Sequence, residues 1–193
     1  MGVEFAKLCG AYNLTELRVI PVETLIRCLQ TLRAERHGLT FSPVVDGRLL
    51  IEGYDETVDH GGHLDIPYMI GSTENDIGST PEIVASGQKS RLYEGCVHWS
   101  LKNAALSRKP AYVYYFTHKP LGDDSVAFHC AELWYVFGLL NRNWRPKDAR
   151  DYTLESEMVH AWANFVKRGD PNNAEQPKWS VCAEPERFVR VFA

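Results

Sequence analysis

Two short runs of the chain are apolar at consecutive positions, and a long segment of helical character separates them. The runs are residues 66–70 and 112–116. A strand that is apolar on both faces is typical of the interior of a parallel sheet, because helices cover both of its faces. The connecting segment, residues 81–107, is long enough for a crossover between parallel strands. The pattern therefore predicts an α/β fold, a mostly parallel sheet flanked by helices.

Other segments have the pattern of individual helices, strands or loops. Apolar side chains at helical spacing indicate two longer helices, at residues 22–32 and 153–167. The shorter predicted elements are strands at residues 41–45, 179–181 and 188–191, a helix at residues 131–140, and a polar surface loop at residues 52–62. A chain of 193 residues suits one domain, residues 1–193, with enough length to bury a core.

A carboxylate and a histidine follow the two apolar runs. Asp76 comes shortly after the first run, and His129 lies beyond the loop that follows the second. In open α/β sheets the functional residues lie beyond the carboxyl ends of the strands, where we expect this pair. A carboxylate followed by a histidine is the order of the last two members of a Ser…Asp/Glu…His triad. No G-x-S-x-G motif occurs in the chain, so the nucleophile of such a triad is missing.

Composition argues against several other classes of protein. The 21 basic residues are scattered and the net charge is −4, so we expect no nucleic-acid partner. Five cysteines, widely spaced, indicate neither a zinc module nor a disulfide scaffold, and a reduced cytoplasmic protein is the simpler interpretation. His60 and His63 have no third ligand nearby in the sequence and are interpreted as surface-loop residues. No run is long enough to span a membrane, and no metal or other cofactor is expected.

Four stretches, in the same order along the chain, resemble motifs of one family. FSPVVDG at residues 41–47 is similar to F-x-P-V-V-D-G, and HCAELWYVFG at residues 129–138 is similar to H-G-x-E-[apolar]-x-[YF]-V-F-G. WANFVKRGDPN at residues 162–172 is like W-x-N-F-A-K-x-G-x-P-N, and residues 66–78 resemble an apolar strand that ends in a glycine and a triad acid. The family is that of the type-B carboxylesterases, the branch of the α/β-hydrolases that resembles cholinesterases and para-nitrobenzyl esterases.

The resemblance implies a role for each residue of the pair. His129 would be the general base and then the general acid, and Asp76 would orient its ring. The family more often has glutamate as the acid, so Glu74 is the alternative candidate. Cys130 stands where the family usually has glycine. A catalytic Cys130–His129 dyad is disfavoured because adjacent side chains usually point apart.

The resemblance also implies that this chain is the C-terminal part of such an esterase. Members of the family are usually more than twice this length, and their nucleophile and oxyanion loop lie upstream. The last turn of a helix near Phe5 to Leu8 likewise predicts a domain that continues upstream. The complete protein would hydrolyse a small-molecule carboxylic ester, with a serine outside this chain, and the chain alone would be inactive.

Two other functions stay open at this point. One is a non-catalytic, cholinesterase-like binding module, and the other is an independent enzyme with an unrelated nucleophile. A further expectation follows from the α/β architecture. Half of a parallel sheet has an unpaired strand edge and an uncovered apolar face, which favours self-association or a partner that carries the N-terminal half.

Overall fold

The computed structural model describes residues 1–35 and 42–193, and the contacts within the chain divide it into two units. The first unit, residues 1–52, contains helices α1 (Gly2–Leu8), α2 (Leu14–Arg18) and α3 (Val22–Glu35). Helix α3 confirms the helix predicted at residues 22–32. The single-domain interpretation of the whole chain stays a prediction.

The second unit, residues 53–193, contains a three-stranded parallel sheet. Its strands, in spatial order, are β1 (Tyr68–Thr73), β2 (Ala111–Phe116) and β3 (Val189–Phe192). Its helices are α4 (Tyr54–His60), α5 (Pro81–Ala85), α6 (Arg91–Ala105), α7 (Leu133–Val136) and α8 (Ala149–Arg168), with a 3₁₀ turn at Leu140–Arg142. The parallel pairing and the intervening helices confirm the predicted fold class.

Strand β2 is the centre of the second unit and is buried on both of its faces. Val113 packs with Cys96 of α6 and with Cys182 in one apolar cluster. Phe116 belongs to a second, larger cluster with Leu154 and other side chains of α7 and α8. Because helices cover both faces of the strand, each of its positions is suited to an apolar side chain. This packing explains the consecutive apolar pattern from which the strand was predicted.

Helix α8 begins earlier than its apolar spacing predicts. The Asp148 side chain accepts hydrogen bonds from the backbone N–H groups of Arg150 and Asp151, and Asp151 accepts one from the Asp148 N–H in return. This capping box starts the helix with a polar turn, which a search for apolar periodicity does not detect. Neither α8 nor any other helix in the described ranges is both long and apolar enough to cross a bilayer.

The predicted strand at residues 41–45 is wrong over the part that the structure describes. Residues 42–45 have no strand pairing, and Phe41 lies outside the described residues. Val44 and Val45 are both exposed. A turn follows them, in which the Asp46 carboxylate accepts hydrogen bonds from the three backbone N–H groups that follow Gly47.

The surface loop predicted at residues 52–62 is also wrong, because helix α4 occupies most of it. Val58 is the buried residue of this helix. A helix with so little buried surface has almost no apolar periodicity in its sequence, and so the polar composition led to the prediction of a loop.

Two predicted elements after β2 are also different from what we expected. The helix predicted at residues 131–140 is reduced to the single turn α7, because the backbone turns left-handed at Gly138 (φ 62°). Residues 179–181 form no strand, although Trp179 is buried in the larger cluster. The Asn172 amide satisfies its backbone instead, accepting from the Trp179 N–H (2.6 Å) and donating to its carbonyl oxygen (2.9 Å).

Replacement of Asn172 by alanine is therefore expected to destabilise the fold. Two hydrogen bonds that hold a buried tryptophan would be lost, which should lower the free energy of unfolding by about 2 kcal/mol. Urea denaturation followed by tryptophan fluorescence would measure the change. Asn173→Ala is the matched control, because Asn173 accepts only from backbone N–H groups of an exposed turn. Equal effects of the two substitutions would contradict this role of Asn172.

Candidate active site

The turns that follow β1 and β2 are held side by side by backbone hydrogen bonds. Asn75 and Phe128 form an isolated parallel bridge, in which the Asn75 N–H donates to the carbonyl oxygen of Ala127 (2.9 Å). Asp76 and His129 are each the next residue after this bridge. The backbone therefore brings the two side chains to the same place at the carboxyl end of the sheet.

Asp76 and His129 are in direct contact. The Nδ1 atom of His129 lies 2.6 Å from Oδ1 of Asp76. The same carboxylate accepts hydrogen bonds from two backbone N–H groups, of Thr73 at Oδ2 (2.9 Å) and of Ile77 at Oδ1 (2.7 Å). Three hydrogen-bond contacts therefore hold the Asp76 side chain in one orientation.

The two members of the pair have opposite exposure to solvent. The Asp76 side chain is only 5% exposed, whereas that of His129 is 52% exposed. When Nδ1–H donates to the carboxylate, the basic lone pair of the ring is on Nε2. No side chain in residues 1–35 or 42–193 is hydrogen-bonded to this atom. The arrangement can therefore accept a proton from a group that approaches the exposed edge of the ring.

The contact distinguishes the two candidate acids. Glu74 makes no hydrogen bond to His129, and its N–H continues the sheet by donating to the Phe116 carbonyl oxygen (2.9 Å). Its carboxylate instead lies near Tyr115, where burial first and then the charge of Glu74 raise the pKa of the phenol to about 12. Of the two, Asp76 is the residue that can orient the imidazole.

Cys130 has an unusual backbone conformation next to His129. Its φ angle is +68°, in the left-handed region that glycine adopts most easily. The thiol is exposed, and its pKa is raised by desolvation and by the nearby carboxylates of Glu132 and Asp76. A thiol with a raised pKa is a poor nucleophile at neutral pH, so the arrangement does not favour a Cys130–His129 dyad.

The conformation predicts that Cys130→Gly stabilises the protein. Glycine removes the clash between the Cβ atom and the backbone, which costs about 1–2 kcal/mol in left-handed geometry, and part of this gain is offset by the greater flexibility of the unfolded chain. We expect a net increase of about 0.5–1 kcal/mol in the free energy of unfolding, measured by urea denaturation. Cys130→Ala keeps the Cβ atom and should change the free energy of unfolding little. If Cys130→Ala stabilises the protein as much as Cys130→Gly does, backbone strain at this position is not the cause.

Glu132 lies buried close to the pair. The Tyr114 hydroxyl donates to its Oε1 atom (3.4 Å), and Oε2 is buried without a hydrogen-bond partner. Burial first, and the charge of Asp76 in addition, raise the pKa of this carboxyl group. Glu132 occupies the N-cap position of α7, but its side chain makes no capping hydrogen bond.

A second histidine–carboxylate pair was not detected from the sequence. Nε2 of His118 lies 2.9 Å from Oδ1 of Asp151, and the Tyr135 hydroxyl donates to the same oxygen (2.6 Å). Asp151 is 1% exposed. Although burial raises its pKa, hydrogen bonds from Tyr135, the Asp148 backbone and His118 bring the pKa below the usual range. This pair joins the end of β2 to the start of α8, and no spacing or motif marks it in the sequence.

His60 and His63, which the sequence predicts to lie in a surface loop, differ in their structural surroundings. His60 ends helix α4, and His63 is half-buried, with Nε2 2.5 Å from Oδ1 of Asn103 and its ring packed on Trp99 (centroids 4.2 Å apart). His63 does lie in the loop after α4, as predicted, but its ring is half-buried rather than exposed. Within the described residues, no group of three or more His, Cys, Asp or Glu side chains could hold a metal ion.

The chain resembles known carboxylesterases in sequence. The model of the carboxylesterase family matches residues 90–191, which is more than half of the chain. Among curated relatives, carboxylesterase 5A of Mus musculus is 32% identical over 93 residues, which cover 42% of this chain and 16% of the relative. Para-nitrobenzyl esterase of Bacillus subtilis (strain 168) is 25% identical over 224 residues, which cover 93% of this chain and 46% of the relative.

Solved esterase structures resemble the chain over nearly its whole length. A para-nitrobenzyl esterase structure superposes with a TM-score of 0.77 at 20% identity, covering 99% of this chain and 49% of the other. A carboxylesterase of Geobacillus stearothermophilus, solved at pH 6.2, gives a TM-score of 0.72 at 23% identity, covering 98% and 50%. The chain thus spans about half the length of these esterases and has the fold of the corresponding half. It belongs to the carboxylesterase family of α/β-hydrolases.

Proposed function

We propose that this chain supplies the acid and the histidine of a serine carboxylesterase, and that a segment outside residues 1–193 supplies the serine. The observation that carries the proposal is the hydrogen bond between Asp76 and His129 Nδ1, which leaves Nε2 at an exposed ring edge. A binding module without chemistry has no need of this geometry. The two relatives and the two solved structures described above are all named as esterases, so a carboxylic ester is the substrate class we propose.

The chemistry follows from the positions of the two side chains. Nε2 of His129 takes the proton of the serine hydroxyl as its oxygen attacks the ester carbonyl carbon. The imidazolium that forms is stabilised by Asp76, which also keeps the Nδ1–H tautomer. His129 then gives the proton to the departing alcohol. Water, deprotonated by the same Nε2 atom, releases the carboxylic acid from the acyl-serine.

The unpaired edge of strand β1 supports the proposal that another polypeptide binds this chain. Within the described residues β1 pairs only with β2, so one edge of β1 has no strand beside it. Such an edge favours pairing with another strand. We propose that either a second copy of the chain or the serine-bearing half covers it. Sedimentation of the purified chain tests this, and a monodisperse monomer in dilute solution would argue against it.

The first test uses the purified chain alone. We expect no hydrolysis of p-nitrophenyl acetate above that of the His129→Ala variant, and no labelling by a fluorophosphonate. A labelled serine, with turnover that His129→Ala abolishes, would show that the chain contains its own nucleophile. That result would favour the independent enzyme over the present proposal.

The second test reassembles an esterase. The chain is co-expressed with the part of the Bacillus subtilis para-nitrobenzyl esterase that the sequence match does not cover, which we propose carries the serine. Turnover should appear with the wild-type chain and be lost with His129→Ala. His98→Ala is the matched control, because His98 forms an exposed ion pair with Asp59 (3.3 Å) and should be dispensable. A stable complex without turnover would favour the binding module.

A further inference from the structure

Two cysteines of the first unit lie together. Cys9 is the C-cap residue of α1, and Cys28 lies in α3. The Cys28 thiol donates to the carbonyl oxygen of Leu8 (3.4 Å), the residue next to Cys9. Burial first, and then the neighbouring Cys28 thiol, raise the pKa of Cys9 to about 11. Both side chains are half-buried, so a small reagent can reach them.

The other cysteines of the chain lack such a partner. Cys96 and Cys182 are buried in the apolar cluster on one face of the sheet, and no hydrogen bond joins their thiols. Cys130 is exposed and has no thiol beside it in the described residues. All five are free thiols in this structure. Among the cysteines of the described residues, Cys9 and Cys28 are thus the two whose thiols influence each other, with the Cys28 thiol held beside the residue that precedes Cys9.

We propose that Cys9 and Cys28 form a redox site, in which a low-molecular-weight disulfide such as oxidised glutathione converts the two thiols into a disulfide between α1 and α3. One cysteine thiolate attacks a glutathione sulfur and releases one glutathione thiol, which leaves a mixed disulfide on the protein. The second cysteine thiolate attacks the protein-bound sulfur and releases the other glutathione. The two protein thiols lose two electrons and two protons, and the glutathione disulfide gains them.

The experiment is incubation of the native, full chain with oxidised glutathione at mildly alkaline pH, followed by intact mass and peptide mapping. We expect the intact chain to lose the mass of two hydrogens. In the peptide map the Cys9 and Cys28 peptides should be linked by a disulfide, and dithiothreitol should separate them again. Because the second step is intramolecular, the linked form should exceed glutathione adducts at these two cysteines by about tenfold or more. Adducts at both cysteines without a link would overturn the proposal.

Variants and an unfolded control make the result specific. Cys9→Ser and Cys28→Ser should each stop at a glutathione adduct on the remaining cysteine, whereas Cys130→Ser should form the link as the wild type does. The wild-type chain oxidised in urea tests the role of the fold without any substitution. In urea we expect disulfides between several different pairs of cysteines. If the native chain gives the same mixture of disulfides, the proposal is overturned.

Discussion

Replacement of Asp76 by asparagine is expected to lower kcat of the reassembled esterase by about 10⁴-fold, as in triads whose acid is replaced by its amide. The reason lies in the three donors around the carboxylate. Oδ2 accepts from the Thr73 N–H, and Oδ1 accepts from the Ile77 N–H and from His129. An asparagine has one acceptor oxygen and one NH₂ group, so it cannot satisfy all three.

Both orientations of the amide are unfavourable. If its oxygen replaces Oδ1, its NH₂ group faces the N–H of Thr73, and two donors meet in a buried place. If its oxygen replaces Oδ2, its NH₂ group faces His129 and makes Nδ1 the acceptor. The ring proton then resides on Nε2, which can no longer take a proton from serine. The second orientation abolishes catalysis while keeping the histidine in position.

Glu74→Gln is the matched control for this prediction. Glu74 lies near Tyr115 and makes no hydrogen bond to His129, so we expect less than about a threefold change in kcat. A readout on the isolated chain is the downfield proton resonance of His129 Nδ1–H, which should disappear in Asp76→Asn and persist in Glu74→Gln. The reverse pattern would make Glu74 the orienting acid.

The proximity of Asp76 and His129 could be predicted because it depends on topology. Two parallel strands end at the same edge of a sheet, and each residue follows its strand by a turn. Which acid touches the ring could not be predicted. Glu74 and Asp76 lie in the same turn, and the choice depends on the backbone N–H groups of Thr73 and Ile77 that fix one carboxylate. Their catalytic roles stay a prediction.

Other features left no signal in the sequence, for identifiable reasons. Asp151 is held by Tyr135 and His118, which reach it from distant parts of the chain. The sequence predicts a short strand at residues 179–181, but the side chain of Asn172 takes the place of a neighbouring strand at Trp179. Apolar periodicity detects packing of one element against a core. It does not detect side chains that replace a backbone partner.

Gly71→Ala is expected to be the most destabilising single substitution among those considered, lowering the free energy of unfolding by about 3 kcal/mol or more. Gly71 lies opposite Tyr114 in the register of β1 and β2. A Cβ atom at this position would overlap the carbonyl oxygen of Tyr114 and the base of its ring. The clash with a backbone atom cannot be relieved by a rotamer change, so the two strands would have to separate.

The Tyr114 ring cannot easily move away. It packs against Trp162 (centroids 5.1 Å apart), and its hydroxyl donates to the buried Glu132. Displacement of the ring would therefore leave a buried carboxyl group without its donor, a cost in addition to the steric one. Separation of the strands at Gly71 would also disturb the turn that carries Asp76. The substitution should reduce both stability and the hydrogen bond to His129.

Gly95→Ala provides the matched control, with an effect of opposite sign. Gly95 lies inside helix α6, and an added Cβ atom would meet no neighbouring atom within 4 Å. Alanine in a helix interior is favoured over glycine, so we expect stabilisation by about 0.5–1 kcal/mol. Urea denaturation followed by circular dichroism measures both variants. If Gly71→Ala unfolds at the same urea concentration as the wild type, this result contradicts the close contact between Gly71 and Tyr114.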